Sequence, residues 1–464
     1  MNPEEICYLS AGQLGRLMKK KELSPVEVIK THLSRIESLE PKLNSFITLL
    51  PDQAMAAALQ AEKEIQGGNY RGPLHGIPLG LKDLYSTKGI KTTAGSKVLA
   101  NYLPPFDATV VGKLKEAGVI IIGKTNLDAW AHGSSGENSD FGPTKNPWDL
   151  SRVPGGSSSG SAAALASQMI LAATGTDTGG SIRLPASFCN LVGLKPTYGR
   201  VSRYGIVAMA SSLDAIGHLT KDVTDSALML KVTAGQDSFD STTPKTAVPD
   251  YLQGIKKNIA GLKIGIPKEY LLKGMDERIK SRFKGAVSQL EKLGAKVSEI
   301  SLPHTSSSLA VYYIVQPAEV SSNLARYDGI RYGCPRSEFG AEAKRRIMLG
   351  TYTLSSGYYE AYYLQAMKVR TLIKNDFDQA FKKVDVLVAP VSPVLPFKLG
   401  EKIDDPLAMY LSDILTVPMN LAGVPSLAVP MGFVENLPVG MQIVGPQFSE
   451  EILFRVGYNY EQAR

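Results

Sequence analysis

A lone lysine and two glycine-serine loops carry the reactive residues of this sequence: Gly80-Leu81-Lys82-Asp83, then Gly155-Gly156-Ser157-Ser158-Ser159-Gly160-Ser161, then Gly175-Thr176-Asp177-Thr178-Gly179-Gly180-Ser181. Together they fit serine acyl transfer without histidine. A serine hydroxyl attacks well only when a neighbouring base takes its proton, and a lysine can do so only when neutral. Bringing Lys82 from about 10.4 to near ~7 costs on the order of 4 kcal/mol, which burial in a closed pocket can supply. The run Thr178-Gly179-Gly180-Ser181 offers four peptide N–H groups in succession, on backbone tight enough to converge on an oxyanion.

Glycine-serine runs more often serve as flexible linkers, and lysines as surface charges. The flanks argue otherwise here. The first loop enters Ala162-Ala163-Ala164-Leu165-Ala166, a helix start, and the apolar run Met169-Ile170-Leu171-Ala172-Ala173 precedes the second loop. Lys82 ends the apolar stretch Ile77-Pro78-Leu79-Gly80-Leu81, which reads as a strand. Both loops therefore interrupt a packed core.

The elements that must hold these groups alternate between helix and strand. Ser24-Pro25-Val26-Glu27 reads as a capping box, and Asp107 as an N-cap for a helix that runs to Ala117 and stops at Gly118. Residues 280–293 form an amphipathic pattern that leads through Gly294 into the strand-like Lys296-Val297-Ser298-Glu299-Ile300. Asp385-Val386-Leu387-Val388-Ala389-Pro390 is a short core strand. The expected fold class is α/β, a sheet covered by helices, in one large domain of 464 residues without a low-complexity linker. Within it, 1–65 reads as mostly helical, 75–220 as the catalytic core and 245–385 as a mostly helical substrate-binding insertion.

Two other motifs match patterns but fail on physics. Gly118-Val119-Ile120-Ile121-Ile122-Gly123-Lys124-Thr125 satisfies the P-loop spacing. Its stiff branched centre forms strand instead of curling around a phosphate, so Lys124 reads as a strand-end or surface group. Gly156-Ser157-Ser158-Ser159-Gly160 fits the nucleophile-elbow pattern, which would need a later acid and histidine for Ser158. Downstream lie only His218 and His304, in no suitable order with an acid.

The five histidines and three cysteines show no ligand spacing, and no metal is expected. Cys7, Cys189 and Cys334 are odd in number and far apart, which suits a reducing compartment, the cytoplasm by default. No apolar run approaches the roughly 20 residues that span a bilayer, so membrane attachment is not expected. The net charge of +7 is thinly spread, with no basic block that would read nucleic acid directly.

The two loops, followed by Ile182-Arg183-Leu184-Pro185, resemble the amidase signature family. That resemblance implies the amidase-signature fold, a mixed central sheet covered by helices. It also implies Ser181 as nucleophile, Ser157 on a cis peptide as proton bridge, Lys82 as base, and Thr178, Gly179 and Gly180 with Ser181 as oxyanion hole. Further segments, among them Lys195-Pro196-Thr197-Tyr198-Gly199-Arg200 and Ser321-Ser322-Asn323-Leu324-Ala325-Arg326-Tyr327-Asp328-Gly329, are similar to the A-subunit family of glutamyl-tRNA(Gln) amidotransferases.

What that resemblance implies is a glutaminase passing ammonia to a B and C subunit pair. ATP and Mg would be used by the partner, no cofactor would sit in this chain, and tRNA would be contacted mainly through the partners. A glutamine pocket wants a guanidinium for the α-carboxylate and a carboxylate for the α-ammonium. By resemblance these are Arg346 and Asp413, with Tyr312, His132 and Gly133 also at the substrate. The choice of Arg346 over the adjacent Arg345 rests on the resemblance alone. His132 stands where that family has methionine, and the segment from Gly333 to Phe339 is shorter than the family's loop. A free-standing amidase acting on another small amide is the alternative.

Overall fold

Apolar runs such as Ile120-Ile121-Ile122 and Val386-Leu387-Val388 can satisfy both faces only inside a sheet covered on each side, and that is where they lie. The computed structural model describes residues 2–329 and 334–464; Gly333, where the shortened segment begins, falls outside the described residues. Among the described residues there are eleven strands: β1 (Phe46–Leu49), β2 (Pro78–Lys82), β3 (Ile120–Thr125), β4 (Ala172–Asp177), β5 (Val192–Lys195), β6 (Ala215–Thr220), β7 (Lys263–Pro267), β8 (Lys296–Ile300), β9 (Val386–Pro390), β10 (Ser426–Val434) and β11 (Leu437–Val444). They form one sheet in the order β1-β3-β2-β4-β6-β5-β10-β11-β9-β7-β8. Pairs β2–β3, β2–β4, β7–β8 and β7–β9 are parallel and the others antiparallel, so the sheet is mixed as expected.

The centre of this sheet builds the site. Every residue of β2 is buried, and β2 lies between β3 and β4, which delivers the two reactive segments side by side. Gly80 is required there, because a Cβ would stand 2.7 Å from Ile170 and 2.8 Å from Thr125. The second glycine loop begins inside β4, which runs through Asp177 before the chain turns. Helix Ser159–Ala166 is built from small residues and is buried on nearly every side, so the first loop is indeed punctuation inside a core.

Residues 245–385 are mostly helical but also add β7 and β8 to the same sheet. Helix Glu277–Lys292 leads through Gly294, at φ +89°, into β8. Helices Ser308–Leu324 and Ala341–Thr353 cross closely at Gly350, where a Cβ would collide with Pro317 O. That approach brings Gln316 against Arg346.

Three local expectations change. Ser24 caps the Val26 N–H rather than that of Glu27, and its own proton goes to Glu62 of the neighbouring helix; the expected box with Glu27 does not form. The helix Thr109–Glu116 is capped at Ala108, and Asp107 instead accepts from the Lys88 N–H and pairs with Lys115. Lys124 is not a surface group: it is fully buried, 3.0 Å from Asp83 and bonded to Tyr85 O and Thr92 Oγ1. A lysine so occupied, on strand β3, cannot cradle a phosphate.

Candidate active site

Lys82 ends β2 with its backbone N–H bonded to Thr174 Oγ1 at 2.9 Å, which fixes the direction of its side chain. Its Nζ then meets three hydroxyls: Ser157 Oγ at 2.9 Å, Ser158 Oγ at 3.0 Å and Thr176 Oγ1 at 2.8 Å. None of the three is a charge. Burial pulls the Lys82 ammonium down to about 7, against the opposing fields of Asp128, Asp177 and Asp214. A neutral fraction of Lys82 is therefore available near neutral pH.

The Gly156–Ser157 peptide is cis. Asp128 buttresses this turn: its N–H donates to Ser157 O, and a Cβ on Gly156 would stand 2.0 Å from Asp128 Oδ2. The Asp128 carboxylate also accepts the N–H groups of Gly136 and Asn138. Ser158 N–H donates to Ser181 O at 3.1 Å, which ties the two glycine loops together. Lys82, Ser157 and Ser158 are sealed, whereas Ser181 keeps 8 % exposure. The base thus lies dry behind a serine that solvent can reach.

The 178–181 backbone is clamped from both sides. A Cβ on Gly179 would meet the Tyr312 ring at 2.8 Å, and one on Gly180, at φ +145°, would meet Thr416 Oγ1 at 2.3 Å. Thr178 Oγ1 donates to Asp214 at 2.7 Å. Arg183 pairs with Asp177 at 2.9 Å and reaches Asn420 and Gln442; burial works against the Asp177 charge, but Arg183 holds that carboxyl down at about 2. The loop is held as a rigid shape, as preorganised donors require.

Beside these loops, His132, Gly133, Ser134, Glu342, Arg346 and Tyr410 line a cavity of about 230 Å³. Arg346 is 3 % exposed, bonded to Glu342 Oε1 at 2.7 Å and Gln316 Oε1 at 3.0 Å, with Tyr313 and Tyr410 packed close against its guanidinium. Arg345 also lines the cavity, but its side chain is 42 % exposed, which separates two arginines that are adjacent in sequence. Ser134 Oγ donates to Asp413 Oδ2 at 2.5 Å, and burial raises the Asp413 carboxyl to about 7. His132 is fully buried with both ring nitrogens unpartnered, and burial followed by the Arg346 charge keeps it neutral.

The elbow alternative finds no partner. His218 bonds Ser226 and His304 pairs with Asp376, while the Ser158 hydroxyl lies on Lys82. Among the described residues no group of His, Cys, Asp or Glu could hold a metal ion. Sequence reasoning missed Ser158 and Thr176 as partners of Lys82, although both lie in the loops it singled out. It also missed Asp214, Ser134, Glu342 and Thr416, for which no motif gave a signal.

The family model for amidases matches residues 27–454. This chain belongs to the amidase family. Within that family it is 55 % identical to the A subunit of glutamyl-tRNA(Gln) amidotransferase from Carboxydothermus hydrogenoformans, over 99 % of this chain and 98 % of that protein. The amidase fold seen here superposes on the crystal structure of the same-named protein from Thermotoga maritima with a TM-score of 0.84, at 44 % identity over 97 % of this chain and 94 % of the other. It is also similar to the peptide amidase of Stenotrophomonas maltophilia, with a TM-score of 0.85 at 33 % identity, over 98 % and 96 % of the two chains.

Proposed function

We propose that this protein is the glutaminase subunit of a tRNA-dependent amidotransferase. The observation that carries the reading is a cavity lined by the buried guanidinium of Arg346 and by Ser134, which donates to the buried carboxylate of Asp413 and accepts from Gly156 N–H of the first glycine loop. Those two charges match the head of a zwitterionic amide. Full-length likeness to proteins named as the A subunit of glutamyl-tRNA(Gln) amidotransferase supports the same conclusion.

In this reading Ser181 Oγ attacks the side-chain amide carbon of glutamine while its proton passes through the Ser157 hydroxyl to neutral Lys82. The carbonyl oxygen takes the negative charge and accepts from the N–H groups of residues 178–181. The C–N bond then breaks as the proton returns to the leaving nitrogen, and ammonia departs. Water repeats the attack on the acyl-enzyme and releases glutamate. Asp413 holds the α-ammonium, Arg346 the α-carboxylate, and Tyr312, His132 and Gly133 shape the pocket.

The ammonia passes to B and C subunits, which use ATP and Mg to convert Glu-tRNA(Gln) to Gln-tRNA(Gln) and carry most tRNA contacts. Among the described residues no helix is long and apolar enough to cross a membrane, and cytoplasmic residence is part of the proposal. A free-standing amidase is the second reading, favoured by the likeness to a peptide amidase and by the unpartnered His132.

Ammonia release from glutamine against propionamide, with Ser181→Ala as blank, separates the two. Glutamine-selective turnover that rises with B and C subunits supports the amidotransferase reading. Faster turnover of propionamide by the chain alone supports the free-standing amidase.

A further inference from the structure

The short helix Val417–Ala422 and the residue before it grip the oxyanion loop by its carbonyls. Asn420 Nδ2 donates to Asp177 O at 2.8 Å. Four residues earlier, on the same side of the turn, Thr416 Oγ1 lies 2.6 Å from Gly179 O and 3.0 Å from Asp413 O. A hydroxyl has one proton to give, and the shorter contact takes it. Thr416 is fully buried, and its oxygen fills the space that a Cβ on Gly180 would need.

Peptide planarity turns this contact into an orientation. Gly156–Ser157 is the cis bond of this region, so the Gly179–Gly180 peptide is trans and its N–H points opposite its C=O. Holding Gly179 O toward Thr416 therefore aims the Gly180 N–H away from that helix. Glycine at both positions offers no side chain to hold the peptide plane, and with Gly180 at φ +145° the flipped peptide is sterically open to it. Something outside the loop must choose between the two orientations.

We propose that Thr416 is a positioning residue for this reaction, its hydroxyl fixing the Gly179–Gly180 peptide so that the Gly180 N–H faces the oxyanion. The same residue closes a turn on Asp413, with Thr416 N–H bonded to Asp413 O at 2.9 Å. One short turn thus holds both the carboxylate assigned to the substrate ammonium and the peptide assigned to the oxyanion. The inference rests on the acyl-transfer reading above.

The test uses the full chain and three variants, T416V, T416A and T416S, assayed across glutamine concentrations. Removing the hydroxyl should lower kcat about 10- to 100-fold while KM for glutamine stays within about twofold, because the donor acts mainly in the transition state. T416S, which keeps the hydroxyl, should recover most of kcat. A kcat within about twofold of wild type in T416V and T416A overturns the proposal, as does a loss that T416S does not restore. If wild type favours propionamide over glutamine, the substrate assignment fails alone, and the same kcat and rescue comparison on propionamide decides the role of Thr416.

Discussion

Lys82 Nζ stands 2.9 Å from Ser157 Oγ in a site with no exposure, while the opposing negative fields come from carboxylates that do not bond it, Asp128, Asp177 and Asp214. Desolvation outweighs those three fields. The lysine therefore loses its proton near neutrality.

That balance predicts a pH profile. Lys82 works as a base only when neutral, so kcat should climb about tenfold per pH unit below ~7 and level off above it. Lys82→Met should lose several orders of magnitude with no such limb. Stopped assays between about pH 5 and 9 check both, and a flat wild-type profile would remove Lys82 as the base.

Asp413 titrates in the same range with a different consequence. Burial raises its carboxyl to about 7, so the charged form that attracts an ammonium dominates only at higher pH. KM for glutamine should fall as pH rises through ~7, KM for propionamide should not follow it, and Asp413→Asn should abolish the difference.

The two neighbouring arginines should separate cleanly. Arg346→Ala removes a buried guanidinium bonded to Glu342 and Gln316 and should raise KM for glutamine roughly 10- to 100-fold, with a smaller effect on a neutral amide. Arg345→Ala removes a largely exposed group and should change KM less than about threefold.

Gly180→Ala should lose turnover. Its Cβ would press on Thr416 Oγ1 at 2.3 Å and its φ of +145° strains any side chain, at a cost of about 1–3 kcal/mol in stability if the loop keeps its shape. Thermal unfolding and ammonia release measured together read both effects.

His132→Met should stabilise the fold. The imidazole is buried with both nitrogens unpartnered, which costs about 1–3 kcal/mol, and methionine carries no such groups. A lower unfolding midpoint in the variant would mean that the ring makes a contact worth keeping.

Local pattern was enough to single out a candidate trio and the loops that carry it. Lys82 at a strand end, Ser157 and Ser181 in glycine-rich turns, and the helix and strand around them are all legible in the chain, because backbone tightness and apolar runs are properties of neighbouring residues. The same logic rejected the P-loop lookalike, whose lysine proved to be buried on Asp83. Caps were less legible: Ser24 turned to Glu62 of another helix, a competitor that no local window contains.

What surrounds that trio was settled by contacts between distant segments. Thr416 reaches Gly179 across 237 residues and Ser134 reaches Asp413 across 279, so neither contact leaves a local trace. The structure sets Arg346 apart from Arg345 by its burial and its bond to Gln316, both of which depend on how closely two helices cross at Gly350. The pKa of Lys82 is likewise a property of the closed core: a lysine at the same place in an open strand end would keep its proton and its ordinary chemistry.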